Sequence, residues 1–266
     1  MSLVTTPGVL LRAHPYSETS RVLRFLTRDA GVVSVMARGV RRPGSKTAPG
    51  LDTFAEGELS MYVKSTRDLQ TLKEFVVRHP RRGLGRDPLR LAAASVLGEL
   101  VLRHGGEGGD AELFARLAEA LDALESAEPS DVSATLLREG WGLVVALGYR
   151  PHLDLCVTCA QTFGADEVAR FDFEAAGLRC AECGVSSAGP RVGPGARAQL
   201  ELLLEGQLPD ALAHVRPHLQ LLSDFITYHV AGTRPLEAFR IFAALLPPAA
   251  AVDPPPSANL PPTADT

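Results

Sequence analysis

All four cysteines of this 266-residue chain stand in one short stretch, Cys156-Val-Thr-Cys159 and Cys180-Ala-Glu-Cys183, with 20 residues between the two pairs. Two C-x2-C knuckles at this separation can bring four thiolates to the corners of a tetrahedron about 2.3 Å from a zinc ion. The segment between them must therefore turn back on itself. A shell filled by Cys156, Cys159, Cys180 and Cys183 leaves no position for water or substrate, so the metal is expected to be structural. Its binding would supply on the order of 10 kcal/mol to a loop with no core of its own. The rival readings are disulfides, which a cytosolic protein disfavours, and a redox pair, which has no need of a second knuckle. A ribbon that staples its host domain is favoured over a DNA-reading finger, and the nearby His152 is expected at the surface.

Charge divides the chain. The first 86 residues carry 15 Lys and Arg against 7 Asp and Glu, a net of +8, and the remainder carries 12 against 24, a net of −12. The overall −4 hides a basic module joined to an acidic one, which points to a polyanionic partner before it points to catalysis. With 45% hydrophobic and 22% charged residues the chain can bury a sizeable core. No apolar run reaches the roughly 18 residues a membrane helix needs, and the N-terminus has no signal-like leader, so a cytoplasmic protein is expected.

From Val9 to Val77 short segments with period-two alternation, GVLLRA, SRVLRFLT, GVVSVMARGV, GELSMYVK and LQTLKEFVV, read as antiparallel strands. Val33, Val35 and Ala37 share one face. Five such strands without intervening helices predict a small closed barrel or a compact antiparallel sheet over residues 1–82, with an OB-type barrel as one natural candidate. After Pro88 the period becomes 3.6. Helices are expected from Leu89 to Arg103, Asp110 to Glu125, Asp131 to Leu147, Gly195 to Glu205, Leu212 to Val230 and Pro235 to Leu246. The fold class is thus α+β and multidomain. The barrel precedes a helical domain (83–150 and 191–246) interrupted by the four-cysteine insertion (151–190). The Pro- and Ala-rich tail (247–266) cannot bury enough surface to order itself.

In the basic module, Arg38, Arg41, Arg42 and Lys46 fall in a Gly- and Pro-containing loop between strands. The loop is not a Walker P-loop, because its lysine does not follow the second glycine and no helix is evident after it. Further arginines at 12, 21, 24, 28, 67, 78, 81, 82 and 86 favour a phosphate-binding surface over a merely solvated turn, since such binding needs many weak charge contacts. Tyr16, Phe25, Phe54, Tyr62 and Phe75 are candidates for stacking on bases, although each taken singly is better explained as core. Gly106-Glu-Gly108-Gly-Asp-Ala111 fits a loose dinucleotide fingerprint but follows a helix rather than a strand. His214 and His218 are read as a surface pair. No catalytic or cofactor-binding residue is assigned, and the chain is expected not to be an enzyme.

The stretches Val9-Leu-Leu-Arg-Ala-His-Pro-Tyr-Ser-Glu-Thr-Ser-Arg-Val22, Phe25-Leu-Thr-Arg-Asp-Ala-Gly31, Met36-Ala-Arg-Gly-Val-Arg-Arg42 and Ser45-Lys46 resemble the N-terminal domain of the bacterial RecO family. Gly148-Tyr-Arg-Pro-x-Leu-x-x-Cys156-x-x-Cys159 and the second knuckle are similar to its zinc-bearing members. The resemblance implies an OB fold, a helical C-terminal domain and a non-enzymatic part in DNA repair and recombination. It further implies binding of single- and double-stranded DNA, annealing of complementary strands, contact with single-stranded DNA-binding protein, and work with RecR to load RecA in the nucleoid. DNA contact carries over to Arg38, Arg41, Arg42 and Lys46, with Arg12, Arg21, Arg24, Lys64 and Arg67 as secondary candidates. Two other readings stay open. One is an assembly scaffold whose barrel docks an acidic protein. The other is a metal-dependent DNA-processing enzyme, for which the scattered Asp29, Asp52, Glu56, Glu58 and Asp68 offer no evident carboxylate cluster.

Overall fold

The computed structural model describes residues 2–40, 51–106, 108–185, 187–230, 232 and 234–247. Arg41, Arg42 and Lys46 of the basic loop, and residues 248–266 of the tail, lie outside the described residues.

Five strands, β1 (Ser2–Pro15), β2 (Arg21–Thr27), β3 (Gly31–Ala37), β4 (Glu56–Val63) and β5 (Leu69–His79), close into a barrel in the order β1-β2-β3-β5-β4. All pairings are antiparallel except β3 with β5, which runs parallel from Ser34 opposite Leu69 to Met36 opposite Thr71. This is the five-stranded OB-like arrangement. β1 is long enough to serve two neighbours: its first half pairs with β4 and its second half with β2. Side chains alternate accordingly. Leu10, Leu23, Phe25, Val35, Leu59, Met61 and Phe75 fill the barrel, with the rings of Phe25 and Phe75 edge-to-face at 5.0 Å. Val9, Leu11 and Leu26 point the other way and join the core of the helical domain. Strand alternation thus lets the consecutive Leu10 and Leu11 serve different cores, and the ladder to β2 shifts register between Leu10 and Arg12.

The helical domain is built on α1 (Pro88–His104), whose Ala92, Ala93, Ala94, Val96, Leu97 and Gly98 are all buried. A helix apolar on every side belongs at the centre. Around it stand α2 (Ala111–Ser126), α3 (Val132–Ala146), α4 (Pro194–Leu204), α5 (Val215–His229) and α6 (Glu237–Leu245). Asp87 caps α1 by accepting from the Leu89 amide at 3.0 Å, and Asp110 caps α2 from Leu113 at 2.9 Å. His218 departs from its expected surface position. α5 begins only at Val215, so His214 is its left-handed N-cap, while His218 is turned inward, 5% exposed, against Gln199 Oε1 at 3.1 Å.

Two contacts lock the barrel to the helices. Arg81, just past β5, is 2% exposed. Its guanidinium donates to Asp122 at 2.5 Å, to Glu56 at 2.6 Å and to the Phe54 carbonyl at 3.2 Å. It therefore ties α2 to β4 and to the strand-flanking loop, and it leaves the set of arginines free to meet phosphate. The second contact is the glycine run 105–109, which is no nucleotide loop. Gly31 sits at φ 65°, and a side chain on it would collide with the carbonyls of Gly106 and Gly108. Cβ atoms on Gly105 and Gly109 would strike Val32 and the backbone of Asp29. These glycines let the β2–β3 turn and the α1–α2 connection meet backbone to backbone.

Arg81→Ala would leave two carboxylates facing a buried void. It is expected to cost about 2–4 kcal/mol, discounted because Asp122 and Glu56 keep some water, and to lower Tm by roughly 5–15 °C. Thermal unfolding followed by circular dichroism checks this, with a shift under about 2 °C as the contrary result.

Candidate nucleic-acid interface and metal centre

One end of the barrel is committed to the helices through the β2–β3 turn. Along β2 and β3 the ladder runs from Thr27 opposite Gly31 to Arg21 opposite Ala37, so the other end lies about 20 Å away. There the β1–β2 turn, the exit of β3 and the β4–β5 turn converge on a cleft of about 820 Å³. Its lining includes Tyr16, Met36, Arg38, Arg67, Asp68 and Leu69.

Both walls are held by their own polar contacts. In the first, the Tyr16 amide donates to the Ser20 carbonyl at 3.0 Å, and the Ser20 amide to Ser17 Oγ at 3.2 Å. In the second, Gln70 Oε1 accepts from the Lys64 amide at 2.8 Å, and its Nε2 donates to the Lys64 and Arg67 carbonyls. A glutamine clasping the turn on both sides holds Lys64 and Arg67 in fixed register.

The structure thus brings Arg38 and Arg67 onto one cleft, with Lys64 in the same turn as Arg67. Arg21 opens β2 immediately after the β1–β2 turn. Arg12 and Arg24 are placed differently. They face each other across β1 and β2, Arg24 is half-buried, and Arg12 lines a separate cleft with Glu99 and Glu237 of the helical domain. Three more of the sequence's arginines are already paired: Arg28 with Asp29 at 2.9 Å, Arg78 with Glu58 at 3.0 Å, and the buried Arg81. Among the described residues Arg21, Arg38, Lys64 and Arg67 have no ion-pair partner. Phe25, Phe54 and Phe75 are buried core residues, whereas Tyr16 is 67% exposed on the cleft. Alternation alone could not separate Tyr16 from those rings, because it lies past the end of its strand.

The second site is the insertion. Strands β6 (Ala169–Asp172), β7 (Gly177–Arg179) and β8 (Arg191–Val192) form a small sheet. Its Phe171 packs on Phe225 of α5, ring centroids 5.9 Å apart, and so anchors the ribbon to the helical core. The sulfur atoms of Cys156, Cys159, Cys180 and Cys183 all lie within 4.8 Å of one another, and Cys159 and Cys180 are 3.9 Å apart. A tetrahedral ion bound at 2.3 Å needs sulfur separations of about 3.8 Å, so the donor set fits. The Cys180 amide points at Cys156 Sγ (3.3 Å) and the Cys183 amide at Cys180 Sγ (3.4 Å). Burial pushes the Cys156 thiol up, but amide donation from Cys180, Cys159 and Thr158 outweighs it and brings the thiol down to about 6. Hydrogen bonds with the Cys180 and Cys159 thiols push Cys183 up to about 12. One thiolate forms readily, while the last needs a cation among the four sulfurs. His152 stays outside this cluster, exposed, with its backbone paired to the Gly177 strand.

Compared with known proteins, residues 1–81 match the family described as "Recombination protein O N terminal", and residues 85–236 match "Recombination protein O C terminal". The chain belongs to the RecO family. A DNA repair protein RecO of Anaeromyxobacter dehalogenans (strain 2CP-C) is 33% identical over 243 residues, 86% of this chain and 92% of the relative. The one from Rubrobacter xylanophilus is 34% identical over 185 residues, covering 69% and 72%. A third, from Anaeromyxobacter sp. (strain Fw109-5), is 31% identical over 236 residues, covering 84% and 90%. Membership places the chain in DNA repair and recombination. The basic cleft falls in the RecO N-terminal match and the four cysteines in the C-terminal one. Among the described residues no helix is long and apolar enough to cross a membrane.

Because the ligands must be deprotonated, metal bound at the four cysteines should be released as pH falls, with proton uptake. Cys180→Ser should lower both metal content, read by a colorimetric chelator, and Tm. A stable protein that carries no metal when purified under reducing conditions with added Zn²⁺ would contradict the site.

Proposed function

We propose that this RecO-family chain is a non-enzymatic, cytoplasmic recombination mediator. It binds single- and double-stranded DNA at the basic end of its barrel, anneals complementary strands, and acts with RecR to help load RecA onto DNA coated by single-stranded DNA-binding protein. The observation that carries this reading is the cleft on which Arg38 and Arg67 converge without carboxylate partners, at the end of the barrel left free by the helices. Arg41, Arg42 and Lys46, which follow Arg38 in the sequence, are proposed to contact DNA as well. Arg21 and Lys64 flank it, and Arg12 and Arg24 are assigned a lesser part.

The mechanism is positional. Cations held on a rigid surface neutralise phosphates on two strands, their mutual repulsion falls, and complementary bases can meet. No nucleotide hydrolysis is needed. The acidic helical domain is left to protein partners, and a structural zinc at Cys156, Cys159, Cys180 and Cys183 holds the ribbon on it. Three of the barrel carboxylates that a DNA-cutting metal enzyme could draw on are paired with arginines: Asp29 with Arg28, Glu56 with Arg81 and Glu58 with Arg78.

With about six phosphates neutralised, the logarithm of affinity should fall against that of salt with a slope of about −4 to −5. Arg38→Ala with Arg67→Ala should weaken binding to all sequences alike and reduce the slope by about 2. Annealing of complementary strands coated with single-stranded DNA-binding protein, without ATP, should accelerate at low salt and fade as salt rises. A folded protein that neither binds DNA in a salt-dependent way nor speeds annealing would overturn the proposal in favour of a scaffold.

A further inference from the structure

The cleft at the basic end differs from a plain phosphate-binding patch in three respects. It is concave, with a volume of about 820 Å³, which accommodates a nucleotide. It carries an aromatic ring, Tyr16, that is 67% exposed, and the apolar Met36 and Leu69 share the same lining. It also contains Asp68, an exposed carboxylate with no ion pair or hydrogen bond to it among the described residues. A surface meant only for phosphates gains nothing from an unpaired carboxylate or from an exposed aromatic ring. A nucleobase uses both: its π-face lies on the ring, and its amino groups donate to a carboxylate. In duplex DNA the π-faces are covered by stacking, although some amino groups still show in the grooves. A face free to lie on Tyr16 is offered by a single strand.

We infer that this cleft is a subsite for one unpaired nucleotide, with the base stacked on Tyr16 and its phosphates held by Arg38 and Arg67 at the rim. The inference rests on the DNA-binding reading above and adds to it a residue that selects single strand from duplex. The walls suit the task. The Ser17–Ser20 contacts fix the turn that presents Tyr16, and the Gln70 clasp fixes the turn that presents Arg67, so little ordering entropy remains to be lost on binding.

Fluorescence anisotropy on the full chain tests it, with a labelled 20-nucleotide single strand and the corresponding 20-base-pair duplex at one salt concentration. Tyr16→Ala should lower the ratio of single-strand to duplex affinity roughly fivefold or more, since base stacking is lost. Tyr16→Phe should keep the wild-type ratio. An oligonucleotide carrying 5-iododeoxyuridine should photocross-link to Tyr16, located by mass spectrometry. Because Tyr16 is exposed, the variants should unfold at the wild-type temperature. An unchanged ratio, an equal loss on both substrates, or cross-links that map elsewhere would overturn the subsite while leaving the basic surface in place. A wild-type chain that binds neither substrate would overturn the DNA-binding reading itself.

Discussion

Arg81 is the interaction on which the arrangement of this molecule depends. Its guanidinium is almost fully withdrawn from water between β4, the loop before it and α2, and it is neutralised there by Glu56 and Asp122. An isolated buried charge of this kind would be prohibitively costly, so the two carboxylates and two backbone carbonyls must be in place around it together. Barrel and helical domain therefore meet in one register. Beside this polar tie, Val9, Leu11, Leu26 and Phe54 bury themselves in the helical core, and the glycines at 31, 105 and 109 remove the side chains that would hold the two backbones apart.

That docking decides what the barrel can do. A closed five-stranded barrel has two ends and an outer wall. The β2–β3 end and part of the wall are covered by helices, which leaves the end where the β1–β2 turn, the β3 exit and the β4–β5 turn gather. The net positive charge of the first 86 residues is therefore not spread evenly over a surface. Arg28, Arg78 and Arg81 are spent on carboxylates, and Arg21, Arg38, Lys64 and Arg67, which have no ion pair among the described residues, lie at or beside the open end, whereas Arg12 faces the helical domain. The cysteine ribbon takes a separate part: it rests on α5 through Phe171 and belongs to the helical domain rather than to the barrel.

Much of this was legible in the sequence, because the signals were local. Period-two stretches marked the five strands and period 3.6 marked the six helices, with ends within a few residues of those observed except at β1, which begins at Ser2, six residues before the stretch that marked it. Spacing alone brought the four cysteines together. What escaped was set by tertiary contact. Arg81 reads as one more basic surface residue, and only the approach of α2 buries it. The glycines from 105 to 109 match a dinucleotide fingerprint only loosely and in the wrong context, but nothing local shows that their lack of side chains serves a contact with Gly31, more than 70 positions earlier. His218 was misjudged because α5 starts after His214, which puts the two histidines in different environments. Tyr16 could not be told from Phe25 or Phe75 by composition; the end of β1 at Pro15 is what releases it to the cleft.

Hydrogen exchange measured with and without a single-stranded oligonucleotide tests most directly the claim that the barrel docks with one end and binds with the other. The account predicts new protection across residues 16–20, 36–40 and 64–71, with the seam at 28–32 and 105–109 unchanged. Protection centred on the helical domain, with those three segments unaffected, would contradict it.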